Sequence, residues 1–164
     1  MISTTLANEI LEFITAQKTN LSETSKGLCY LGFSTRDPGS SGASFSEPST
    51  SLYPSYERIQ LNVYSAKDYT NQWGAVADKS VQLAKEIVSN EALEEGGWPA
   101  FTHFGIFNSK DVGSDNATTL LAWDLLTDPD GTPDSYGQYP AKTLKVNKNE
   151  VAVFRTGALK LTFK

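Results

Sequence analysis

The chain is poor in the residues that most often carry chemistry. Its 164 residues include one cysteine, one histidine and one methionine. With Cys29 alone, an intramolecular disulfide is impossible and a cysteine-based zinc site is excluded. Set in the apolar run Leu28-Cys29-Tyr30-Leu31, it reads as a small core hydrophobe. His103 is the only imidazole, so any Ser–His–Asp site would have to be built on it. No Gly-x-Ser-x-Gly elbow is present. No stretch approaches the roughly 20 apolar residues of a membrane span. A basic run is also missing, and the net charge is −5 with a pI near 4.9. Those values argue against nucleic acid, whose phosphates need a basic patch. The N-terminal stretch has no basic first region, and Glu9 and Glu12 interrupt its apolar positions, so it is not expected to be a secretory signal. The chain is expected to be made and folded in a cytoplasm; if it ends up outside a cell, it is expected to leave by lysis or as part of a particle.

What is there describes an ordinary folded domain. The length suits a single domain over 1–164, able to bury roughly 70% of its unfolded surface without staples. Eight Phe, seven Tyr and three Trp favour strands and supply large buried areas.

Leu6, Ile10, Phe13 and Ile14, with Leu11 beside them, recur at helical spacing, which predicts a helix over about 4–17 within residues 1–18. Ser3, Thr4 and Thr5 are its candidate caps. Its apolar stripe calls for a sheet or a neighbouring subunit as cover. Residues 27–34 (GLCYLGFS) read as a strand. Residues 35–55, rich in Ser, Gly and Pro, form a loop long enough to suggest a function or a docked partner. In 56–64, Ile59, Leu61 and Val63 point one way and Arg58, Gln60 and Asn62 the other, an alternating strand. Residues 65–78 read as an excursion and 79–84 as a strand. Residues 85–95 fit either a strand or a short helix carrying Ile87, Val88, Ala92 and Leu93. Residues 99–107 carry apolar groups on both faces and so predict a central strand. Residues 118–126, 141–146, 150–154 and 158–163 complete the set. The tight links at Asn147-Lys148-Asn149 and Thr156-Gly157 suggest a meander. Seven or eight strands and one N-terminal helix predict a mainly β fold, an antiparallel β-sandwich or jelly roll over 27–164.

Chemistry has few places to reside. His103 sits mid-strand among apolar residues and reads as a structural histidine. Asp128, Asp130 and Asp134 surround Gly131 like half of a calcium loop. The third ligand before the glycine and the bidentate glutamate at position twelve are missing, and flanking prolines fit an ordinary turn. Glu94 and Glu95 precede Gly96-Gly97-Trp98, but neighbouring residues on a strand point apart, so they make no glycosidase pair by themselves. No cofactor is expected. Aromatic residues in or beside loops, namely Tyr53, Tyr56, Tyr64, Tyr69, Trp73, Tyr136 and Tyr139, suit either recognition of a partner or cover for the ends of the fold.

Several segments in succession resemble one family. They are Thr4 to Leu11, then Tyr30-Leu31-Gly32-Phe33-Ser34-Thr35 with Asp37-Pro38, then Phe45-Ser46-Glu47-Pro48-Ser49 leading to Tyr56-Glu57-Arg58-Ile59. Trp98 to Asn108 (WPAFTHFGIFN) follows, then Leu120-Leu121-Ala122-Trp123, Lys142-Thr143 and Gly157-Ala158-Leu159 before Leu161. In this order they are similar to the small tailed-phage virion structural proteins usually described as tail fibre proteins. The family's glycines before Tyr-x-Arg are replaced by Ser51-Leu52-Tyr53-Pro54-Ser55, and 65–78 and 128–139 look like insertions. Specificity carried by those loops therefore does not transfer. The resemblance implies a β-sandwich-like virion protein at a tail fibre, tail tip or capsid surface. It also implies contacts with other virion proteins, a homo-oligomer with a trimer favoured, no enzyme activity and no cofactor. The alternative is a carbohydrate- or receptor-binding module that meets a host-surface glycan through Tyr53, Tyr56, Tyr69, Trp73, Tyr136 and Tyr139.

Overall fold

The computed structural model describes residues 3–15, 29–64, 69–113, 119–128 and 130–162. The helical spacing near the start folds as α1, Thr4–Ile14. Ten strands follow among the described residues: β1 Tyr30–Ser34, β2 Ile59–Gln60, β3 Asn62–Tyr64, β4 Tyr69–Asn71, β5 Ser80–Gln82, β6 Ile87–Val88, β7 His103–Phe107, β8 Leu120–Leu125, β9 Val153–Phe154 and β10 Lys160–Thr162. The fold is mainly β, with antiparallel pairing throughout and one short helix. Among the described residues its sheets do not close on themselves.

The largest sheet has the order β2-β1-β7-β8. Its centre is β1 on β7, with Gly32 opposite Gly105 and Phe33 opposite Phe104. Both strands carry apolar groups on two faces because both faces are covered. One face, with Leu31, Phe33, Phe104 and Ile106, joins the main core. The other carries Tyr30 and Phe107 under Phe45, with Leu120 and Trp123 packed alongside. The paired glycines leave the room this second layer needs. A Cβ on Gly105 would lie 2.7 Å from Phe45 Cε2, and one on Gly32 would lie 2.5 Å from Glu47 Oε1. The loop at 35–55 is therefore docked on its own sheet. Thr35 N–H donates to the Ser46 carbonyl, and Phe45 is buried.

Three two-stranded ladders, β3-β4, β5-β10 and β6-β9, flank this sheet. The hairpin β3-β4 runs on through a bridge of Trp73 with Leu83 toward β5. Leu11 of α1 is buried in the main core, with Ile14 packed against it. Burial of one such leucine is worth about 1.5–3 kcal/mol. Leu11 thus finds its cover inside the chain.

Several expectations are corrected. Arg58 and Asn62, on the polar side of the alternation, are nonetheless both buried. Arg58 has an ion-pair partner there, and Asn62 Oδ1 accepts the Cys29 N–H at 2.6 Å. The excursion at 65–78 contains strand β4; residues 65–68 lie outside the described residues. Residues 85–95 hold β6 and no helix, because the β-branched pair Ile87-Val88 is held against β9. Residues 141–146 make single bridges at Ala141 and Leu144 instead of a strand. The closing strands form no meander. β9 pairs with β6 and β10 with β5, since the turn at Gly157 (φ +78°) carries the chain from one ladder to the next. The ends of the predicted helix (16 and 17), the start of the first strand (27 and 28) and residue 163 lie outside the described residues.

Candidate functional site

A cleft of about 630 Å³ opens beside β2 and β6. Tyr30, Glu57, Gln60, Val88, Asn90 and Asp111 are among its lining residues. Asn90 Nδ2 donates to Glu57 Oε2 at 2.9 Å, which ties β2's approach to the segment after β6.

Beneath the cleft lies a buried bracket. Arg58 reaches Glu47 through Nη2 at 2.6 Å and through Nε at 3.0 and 3.2 Å, and both side chains are essentially out of water. Its Nη1 donates to the Ser109 carbonyl at 2.7 Å, and the guanidinium carbon sits 3.5 Å from the Phe107 ring centroid. Tyr56 Oη accepts the Phe33 N–H at 2.8 Å and donates to Glu47 Oε1 at 3.2 Å. Burial, reinforced by the Glu47 charge, pushes the Tyr56 phenol well above its ordinary range. Its ring meets Trp98 edge-on at 5.3 Å. The docked loop, β1, β2 and the segment after β7 are fastened at one point.

A second knot stands next to it. Ser55 Oγ donates to Glu94 Oε2 at 2.5 Å and accepts the Trp98 indole N–H at 2.9 Å, while Ser55 N–H donates to Glu94 Oε1 at 2.8 Å. Partial desolvation opposes ionisation of Glu94, but the hydrogen bonds from Ser55 prevail and hold its carboxyl below the usual range. Glu95 points elsewhere, to Lys148 Nζ at 2.7 Å, whose hydrogen bond and charge lower its pKa. The two neighbours therefore serve different contacts.

The sequence candidates are dispersed. His103 Nδ1 shares a 2.9 Å hydrogen bond with the hydroxyl of Thr102, its neighbour in sequence. Asp134 Oδ1 accepts the N–H groups of Tyr136 and Gln138, both at 2.9 Å. Asp128 Oδ1 accepts Lys142 Nζ at 3.0 Å and the Asp130 N–H at 3.3 Å, and the Lys142 contact lowers its pKa. These carboxylates brace their own turn. Among the described residues no group of three His, Cys, Asp or Glu is placed to hold a metal ion. Of the aromatic candidates, Tyr56 and Trp73 are 1% and 4% exposed and belong to the core, a correction to their reading as recognition residues. Tyr53 is half-buried and packs on the core. Tyr136 and Tyr139 are exposed. The Tyr64 and Tyr69 side chains lie outside the described residues.

Sequence reasoning missed Glu47 with Arg58, and Ser55 with Glu94, as interacting pairs. Comparison with known proteins matches the chain to no family model and to no curated protein.

Proposed function

We propose that this chain is a structural component of a tailed-phage virion, acting through protein–protein contacts and without enzyme activity, at a tail fibre, tail tip or capsid surface. The observation that carries the reading is the buried bracket. Gly32, Glu47, Tyr56, Arg58, Trp98 and Phe107 come from four separate segments that carry the resemblance, and they meet in one framework. A shared framework is what a family likeness spread over the whole chain would preserve. On this reading the antiparallel ladders are the two layers of a sandwich or jelly roll. The chain assembles as a homo-oligomer, a trimer by the habit of the family, with synthesis in the host cytoplasm and residence in the particle. Within the chain, Leu11 is buried in the main core and Ile14 packs against it. Mass spectrometry of purified particles is expected to detect the chain in fixed stoichiometry. Its consistent absence would end the proposal. Light scattering of the isolated chain tests the oligomer, and a monomer at micromolar concentration both alone and on particles would remove the trimer.

A second reading, recognition of a host-surface glycan or receptor, is favoured by Tyr136, 87% exposed at the tip of the 128–140 loop, with Tyr139 nearby. A glycan array is expected to lose signal on Tyr136→Ala. No signal from the wild-type chain would dismiss this reading.

A further inference from the structure

Two strand edges border the same cleft. β2 ends the four-stranded sheet, and β9 is the one strand hydrogen-bonded to β6 among the described residues. The pairing registers fix which backbone groups look outward. Leu61 N–H donates to the Cys29 carbonyl, so Leu61/Cys29 and Ile59/Leu31 are the hydrogen-bonded pairs of β2 on β1. Gln60, opposite Tyr30, then turns its N–H and C=O away from β1. The same rule applies to β6 on β9. Ser89 N–H donates to the Ala152 carbonyl, so Val88, opposite Val153, directs its backbone groups away from β9. Gln60 and Val88 both line the cleft.

We propose that this cleft takes an extended segment of another polypeptide chain, which adds as a strand along the edge of β2 left unpaired among the described residues, with β6 on its far side. An unpaired edge offers alternating donors and acceptors that an extended peptide matches residue for residue. The side chains around it suit the alternation of such a segment. Val88, Val112 and Pro54 offer apolar contact, and Glu57, Asn90 and Asp111 offer polar contact. A saccharide would use the polar side chains and leave both edges unmatched, so the backbone geometry favours the peptide. β2 is short, which confines the added strand to a few residues. This inference rests on the reading of the chain as an assembly protein and names the contact surface it would use.

The test uses the full chain. A random nonapeptide library is panned against wild type, with Gln60→Pro as counter-selection. Proline is tolerated on an edge strand where the lost N–H faces outward, and a strand conformation suits the preceding Ile59. Selected peptides should slow amide hydrogen exchange at Gln60 and Val88 and should bind Gln60→Pro at least about tenfold more weakly, while Gln60→Ala stays close to wild type. Circular dichroism verifies that Gln60→Pro folds, and Val88→Pro repeats the test from the other edge. Three results would each overturn the proposal: no peptide enriched on wild type, equal binding to both proline variants, or slow exchange of both amides already in the free chain. A neutral oligosaccharide mixture that binds where peptides do not would assign the cleft to a sugar and likewise overturn it. Peptide binding is read on the isolated chain, so its failure is separable from absence of the chain in particles.

Discussion

Arg58 grips Glu47 through two guanidinium nitrogens with both side chains withdrawn from water, and the same guanidinium lies over the Phe107 ring. Removing one partner of a buried pair strands the other charge and costs about 3–5 kcal/mol. Glu47→Gln and Arg58→Met are each expected to lose stability on that scale in urea unfolding. The double variant Glu47→Gln/Arg58→Met should lose much less than the sum of the singles, because neither charge is then stranded. Single variants that each cost under about 1 kcal/mol would show that the pair is not a fastening point.

Gly32 is a packing requirement of this contact. A Cβ there would meet Glu47 Oε1 at 2.5 Å and the Phe107 ring at 2.9 Å. Overpacking of this kind costs about 1–3 kcal/mol. Gly32→Ala is therefore expected to lower the thermal midpoint, and calorimetry reads it. Gly39→Asn is the contrast. Gly39 has φ +71° and open space around it, and Asn tolerates that region better than other side chains. An unchanged midpoint in Gly32→Ala would mean that the docked loop yields freely.

The two central strands were legible in the sequence because apolar residues on both faces leave few alternatives for 27–34 and 99–107. The bracket was not. Alternation sets Arg58 and Asn62 on a polar face without saying what covers it, and only the docking of a Ser- and Pro-rich loop brings Glu47 within reach of Arg58. A pairing across eleven residues of irregular chain has no periodicity to announce it. Residues 85–95 misled in another way. Ile87 and Ala92 are buried while Val88 and Leu93 are exposed, so apolar spacing there reflects a ladder surface and not a helix stripe. Links such as Gly157 fix that the chain turns, but not which ladder it joins.

The Ser55 knot makes acid stability testable. Glu94 has a folded-state pKa below its ordinary value of 4.5, held there by Ser55 against partial desolvation. A depressed folded value gives stability that is present above the unfolded pKa and is lost as pH falls through the folded one. Wild type should therefore lose part of its stability as pH falls below 4.5. Ser55→Ala removes the hydroxyl from Glu94 and from the Trp98 indole. It should cost about 1–3 kcal/mol at neutral pH and flatten the acid slope. Urea midpoints between pH 3 and 7 read both effects. Parallel curves for the two proteins would refute the assignment to Glu94.

Cys29 is fully buried, and desolvation pushes its thiol from 9.0 up to about 12, with the Trp73 indole N–H opposing the shift in part. A folded-state pKa above the unfolded value means that this contribution to stability is complete below pH 9.0 and is lost as pH rises toward about 12. At pH 8 the folded chain should hold almost no thiolate, and the sulfur has no path to a reagent. A disulfide-exchange chromophore should thus leave Cys29 unmodified for as long as the chain stays folded, with one equivalent released in denaturant. The labelling rate then reports opening of the β1 end of the core. Its pace should quicken in Glu47→Gln, which loosens the loop docked on the same strand. Rapid labelling of the native wild-type chain would show that the sheet centre is open at Cys29, contrary to its burial.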